Sequence, residues 1–183
     1  LCYQALYDAR SYQQISICIC AELVFARIAI LRGDAKGYFK AADSIRGYAK
    51  ESSDVHISRM IDQCMAKIGI ILGIEDYTAL WLCNMEDIKK ALHAPIVPHA
   101  QTIYLKRLLT ERKYNEFYGI SQLILDVDKI EKGNIFYLMP RIYHLKLLTI
   151  AKLSCGQYFE AREYLNQALA IALPDKVYLP VAQ

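Results

Sequence analysis

Helix-stop signals recur along this chain at a nearly constant spacing, and few folds tolerate such a rhythm. They sit at Gly33-Asp34, Gly73-Ile74, Arg112-Lys113 and Gly156-Gln157, roughly 40 residues apart. A strongly periodic apolar segment precedes each stop, and a second segment follows it. Before the turns, Tyr12–Arg32, Val55–Leu72, His99–Glu111 and Ile135–Cys155 carry apolar residues at i, i+3, i+4 and i+7. Examples are Ile15, Leu23, Ala26, Ile30 and Leu31 in the first, and Ile57, Ile61, Cys64, Met65, Ile68 and Ile71 in the second. Such stripes make one helix face adhesive and leave the other wet. The returning segments are Ala35–Lys50, Tyr114–Ile130 and Tyr158–Leu173. After the second stop the return is irregular: Asp76–Cys83 is short, and Met85–Leu92 adds a separate turn or helix. Pro95 and Pro98 bracket a loop before the next helix.

The clearest pair is Leu145–Pro174. Its Gly156, Tyr158, Ala161, Leu165, Ala168 and Leu169 fall at the offsets of a tetratricopeptide-type helical hairpin. The period exceeds the roughly 34 residues of a standard array, so helices or connections are extended. Since one hairpin cannot bury both faces, stacked neighbours are implied. The expected fold is all-α: an antiparallel helix-hairpin superhelix, a tetratricopeptide-like αα solenoid. It comprises one domain over residues 1–183 with about four hairpins. Leu1–Ala9 reads as the tail of an earlier hairpin and Tyr178–Gln183 as the start of another, so a fragment of a larger protein is expected.

Composition agrees. The chain has 183 residues, 55% hydrophobic and 22% charged, with 8 glycines and 5 prolines, which favours long helices around a real core. A net charge of +3 is too mild to argue for nucleic-acid binding by this segment. The longest apolar run, near Ile15–Leu31, is interrupted by Glu22 and Arg27, so no membrane span and no membrane partner is expected. Cys2, Cys18, Cys20, Cys64, Cys83 and Cys155 lack zinc-site spacing and read as reduced core thiols of a cytoplasmic protein. Cys18 and Cys20, two apart on a helix, point to different faces. Most of the 14 tyrosines are expected at helix seams.

Motifs for chemistry are missing from the sequence. There is no Gly-rich phosphate loop, no G-x-S-x-G elbow and no H-x-x-x-H or H-E-x-x-H pair among His56, His93, His99 and His144. Glu75-Asp76 and Glu86-Asp87 fit helix starts, where negative charge complements the dipole. No enzyme activity, metal or cofactor is expected in this segment. The sharper expectation is a binding strip. In this kind of hairpin the first helices line the concave side, and counting back from each turn puts Arg27, Lys67 and Lys106 at one height. Gln63, Thr102 and Lys146 lie one turn earlier, and His99 and Tyr143 another turn back. These eight residues suit an acidic peptide, a phosphorylated ligand or a polyhydroxylated one. The plainer alternative is a solvated face, because long cations snorkel over apolar surface.

The stretch LKLLTIAKLSCGQYFEAREYLNQALAIALPDKVYLPVAQ, with ARIAILRGD at Ala26–Asp34 and ALWLC at Ala79–Cys83, resembles the sensor region of MalT-like, LuxR-type ATP-dependent bacterial transcription regulators. Lys176 stands where that family usually has Gly, and Val181 where it usually has Phe. The resemblance implies an ATPase module before Leu1 and a helix-turn-helix after Gln183. DNA would be met only through that second module. The present segment would sense a small-molecule inducer or a regulatory protein, with self-association as a further partner mode. No inducer-contact motif matches, so no sugar site is carried over. The alternative is a tetratricopeptide scaffold, unrelated to transcription, that binds a partner peptide in its concave groove.

Overall fold

The structure is a computed structural model that describes residues 2–74, 78–93, 96–130, 138–174 and 176. Those residues are all-helical, with no strand among them. The helices are α1 (Cys2–Ser11), α2 (Ile15–Leu31), α3 (Ala35–Glu51), α4 (Val55–Leu72), α5 (Met85–Ala91), α6 (Val97–Thr110), α7 (Tyr114–Ile130), α8 (Leu138–Ser154) and α9 (Tyr158–Ala172). A 3-10 turn, Leu80–Cys83, precedes α5. The chain divides into two compact units, Leu1–Leu80 and Trp81–Gln183.

All four expected turns are present, and each is built the same way. Gly33, Gly73, Arg112 and Gly156 adopt positive φ of 69°, 71°, 58° and 73°. The next residue's N–H then reaches back five residues. Asp34 donates to Ala29 (2.9 Å), Ile74 to Gly69 (2.8 Å), Lys113 to Leu108 (2.8 Å) and Gln157 to Lys152 (2.9 Å). This closure satisfies carbonyls that a helix end leaves orphaned. A fifth turn of the same kind lies at Gln13 (φ 56°), with Gln14 donating to Ala9 at 2.8 Å. It separates α1 from α2, so the first long helix begins at Ile15 and not at Tyr12. Nothing in Gln13 announces a left-handed residue, whereas glycine does.

Two of these five positions therefore carry a side chain in a conformation that disfavours one. Replacing Gln13 or Arg112 with Gly should leave stability unchanged or raise it by up to about 1 kcal/mol, and Gly156→Ala should lower it by about 1 kcal/mol. Urea unfolding midpoints of the three variants check this, and equal effects at all three would contradict it.

In the first unit α2 packs on α1, α3 and α4, and α3 also packs on α4. Small residues let the axes approach: Ala26 and Ala42 are fully buried, with Ala21, Ala29 and Ala41 nearly so. Ile19, Ile45 and Ile68 fill the remaining core. Asp34 and Asp54 cap α3 and α4, accepting from Gly37 N–H (2.9 Å) and His56 N–H (2.8 Å). The Glu22 that interrupts the apolar run of α2 is buried and bonded to Arg10 of α1 at 3.0 Å. Burial pushes its carboxyl above the usual range, and Arg10, Lys40 and Ser44 oppose that push.

In the second unit α6 packs on α5, α7 and α8, and α8 on α9. Leu105, Leu108, Phe117, Ile142 and Leu145 form its interior. Ala151 of α8 and Ala161, Ala168 and Ala172 of α9 are buried, as the hairpin reading requires. Pro98 is not in the loop before α6 but in that helix's first turn, where its missing N–H costs nothing. Asn84 caps α5, with Glu86 and Asp87 in its first turn as the dipole argument expects. Glu75 and Asp76, the other such pair, lie outside the described residues.

Several stripe residues are wetter than their spacing suggests. Leu31, Ile71 and Leu153 are exposed at the ends of their helices, past the point where a neighbour covers them. Of the six thiols, Cys18 and Cys64 are buried but Cys20 and Cys155 are exposed, so a core role does not hold for the latter two. Cys18 and Cys20 do face opposite ways. Tyr38, Tyr48 and Tyr104 are buried, whereas Tyr3, Tyr7, Tyr12 and Tyr158 are largely exposed, Tyr3 still laying its ring 4.5 Å from that of Phe25 on α2.

Candidate functional site

The eight residues of the expected strip divide between the units. Arg27, Gln63 and Lys67 belong to the first; His99, Thr102, Lys106, Tyr143 and Lys146 belong to the second. Within the first unit, the equal-height reasoning pairs Arg27 of α2 with Lys67 of α4. Burial lowers the Lys67 ammonium from its ordinary value; Arg27 pushes the same way, and the thiols Cys64 and Cys20 push back. Burial drives the Cys64 thiol up to about 12, with Lys67 opposing. This Cys64 is therefore an unreactive thiol at neutral pH. Gln63 is 7% exposed and offers little surface to a ligand.

In the second unit a groove of about 440 Å³ runs between α5, α6 and α7. That size falls in the range of small-molecule sites. Its apolar lining residues are Met85, Pro98, Ile120, Leu123 and Ile124; its polar ones are Asn84, Glu86, Lys89, Gln101, Tyr104 and Glu116. The charged groups are already engaged within the groove. Lys89 bonds Glu86 at 3.4 Å, and the Tyr104 hydroxyl donates to the Glu116 carboxylate. Burial, then the bond to Glu116, raises the Tyr104 phenol to about 12, so it stays protonated and keeps donating.

Beyond the wall formed by Pro98, Gln101 and Ile124 lies a recess of about 10 Å³. The same three residues line it, with Thr102, Leu105, Pro140, Arg141 and His144. A recess of that size accommodates one water-sized group. His144 is 2% exposed, and neither ring nitrogen has a hydrogen-bond partner in the protein. Nε of Arg141 is likewise buried without a partner. Burial alone drives the His144 imidazole down to about 4, so it is neutral at pH 7 and carries one donor and one acceptor nitrogen. No carboxylate lines the recess. Thr102 donates to the His99 carbonyl at 2.7 Å and leaves its lone pairs available.

Of the strip residues only Thr102 belongs to these cavities; His99, Lys106, Tyr143 and Lys146 are half-buried elsewhere on α6 and α8. Sequence reasoning missed Gln101, Arg141 and His144. A signal existed: Arg141 and His144, three apart on one helix, share a face within an otherwise apolar segment. Among the described residues no cluster of His, Cys, Asp and Glu has the makings of a metal site, and no helix is long and apolar enough to cross a membrane. Comparison with family models, with curated proteins and with solved structures finds no match to this chain.

Proposed function

We propose that this chain is a ligand-binding helical-repeat module, and that its working site is the groove of α5, α6 and α7. The observation that carries the reading is the groove itself: about 440 Å³, with apolar and hydrogen-bonding side chains from all three helices in its lining. Its charged side chains already have partners, Lys89 with Glu86 and Glu116 with the neutral Tyr104 hydroxyl, which suits holding a ligand more than turning one over. Together with the sequence resemblance, this supports the signal-sensing region of a MalT-like, LuxR-type bacterial transcription regulator working in the cytoplasm. Ligand binding would then shift the balance between two arrangements of the full regulator. Arg27 and Lys67 of the first unit, and separately Lys106 of the second, extend the proposal to acidic or phosphorylated ligands.

The test is a thermal-shift screen of the purified chain against sugars, phosphosugars, small carboxylic acids and acidic peptides, since a ligand that prefers the folded form raises the melting temperature. A hit abolished by Ile120→Glu supports the groove; one abolished by Lys67→Glu supports the cation pair of the first unit. Hits indifferent to both changes, or no hit at all, would overturn the reading. The regulator identity further requires a nucleotide-binding module upstream and a helix-turn-helix downstream in the encoding gene; a gene with neither would defeat it.

A second reading, a scaffold for a partner protein, is favoured by one observation. Ile17, Val24, Ile28 and Leu31 of α2 are all exposed and fall on one helical face, the kind of stripe on which an amphipathic helix docks. Partner capture that is unaffected by Ile120→Glu and lost on Val24→Glu would support that reading.

A further inference from the structure

We infer that the recess behind the groove is the head-group subsite for a carboxylate, so that the ligand is a small monocarboxylic acid with an apolar body. The inference rests on the groove being the working site. Three features carry it. First, the recess gathers donors and a cation with no carboxylate in its lining: the Arg141 guanidinium, the His144 imidazole and the Gln101 amide, the Thr102 hydroxyl being spent on the His99 carbonyl. Second, His144 is 2% exposed and its ring nitrogens, like Nε of Arg141, have no partner in the protein. A buried polar group left unpaired is costly, and a donor pair kept in that condition favours a ligand that satisfies it. Third, the recess takes one oxygen-sized group, while the adjoining groove has room for a body of roughly eight to ten heavy atoms.

The geometry assigns each part a task. Arg141 supplies the charge that holds the anion, as guanidinium does for carboxylates. Neutral His144 donates one N–H to the entering oxygen. Gln101 belongs to both cavities, so its side chain must swing for the head group to pass, and its amide then closes over the second oxygen. Met85, Ile120, Leu123 and Ile124 cover the apolar body. A cationic head group would meet Arg141 and be refused, and a neutral one would forfeit the charge-assisted bond.

Octanoate, octanol and octylamine share one body and differ at the head, which makes them the direct probes. The expected result is that octanoate raises the melting temperature and displaces the His144 imidazole resonances in a nitrogen-15 NMR spectrum, while octylamine does neither. Octanol should bind roughly tenfold or more weakly than octanoate. Arg141→Met should weaken octanoate by a similar factor, and Arg141→Lys should retain part of the affinity. Should Arg141→Met fail to fold, Gln101→Ala provides an independent variant, expected to weaken octanoate and spare octanol. Equal binding of octanoate and octylamine, no binding of octanoate, or binding that leaves His144 undisturbed would each overturn the carboxylate assignment. The broader groove reading fails separately: it falls only if no compound of any class binds in a manner sensitive to Ile120→Glu.

Discussion

Acidification from pH 7 to pH 4.5 is expected to cost this protein about 2–3 kcal/mol through His144 alone. The side chain is buried against Leu105, Pro140 and Ile124, and its folded-state value is driven to about 4 by burial. Histidine in the unfolded chain titrates near its ordinary value of about 6.5. Between those two values the unfolded state binds the proton and the folded state does not. Stability is therefore complete above about pH 6.5, falls as pH drops towards 4, and levels off below that. Surface carboxylates also titrate in this range, so the comparison must be between variants. His144→Leu should remove most of the difference between urea stabilities at pH 7 and pH 4.5 while leaving helical circular dichroism intact. An identical acid loss in parent and variant would mean that the imidazole is not held in a dry site.

A second large effect is expected at the α8–α9 hairpin. Ala161→Leu should destabilise the fold by about 1–3 kcal/mol, because three extra carbons enter a seam with no room. Ala161 is 1% exposed and Ala151 of α8 is fully buried. The two helices pack closely along their length because small residues occupy the seam. Ala170→Leu on the exposed side of the same helix is the control and should change stability little. If Ala161→Leu unfolded at the same denaturant concentration as the parent, the registry of the hairpin would be wrong.

The contrast between those two sites explains what could be read in advance. Ala161 was legible because its meaning is local. A turn glycine, a tyrosine two residues on and an alanine at helical spacing determine which face turns inward, whatever the distant chain does. The same holds for Gly33, Gly73 and Gly156, whose positive φ follows from residue type. It fails for Gln13, where the turn is made by hydrogen bonding that the residue itself does not advertise.

His144 is the opposite case. It appeared as one of four histidines without a metal-binding pair, and its apolar neighbours made it unremarkable. Its character comes from α6, which brings Gln101, Thr102 and Leu105 against it from some forty residues away, and from Pro98, which lies inside that helix's first turn. The strip of cations shows the intermediate case. Counting along helices set Arg27 and Lys67 at one height, but the same count could not tell that Gln63 is buried or that Lys106 lines neither cavity.

The amino-acid order alone thus settled the helices, most of their turns and the small-residue seams, since periodicity and glycine chemistry act over a few residues. Which polar side chains lost their water, and where a groove deep enough for a ligand remained, depended on how helices far apart in the chain came to pack. Desolvation is a property of that packing; the spacing of Arg141 and His144 marks only a shared helix face.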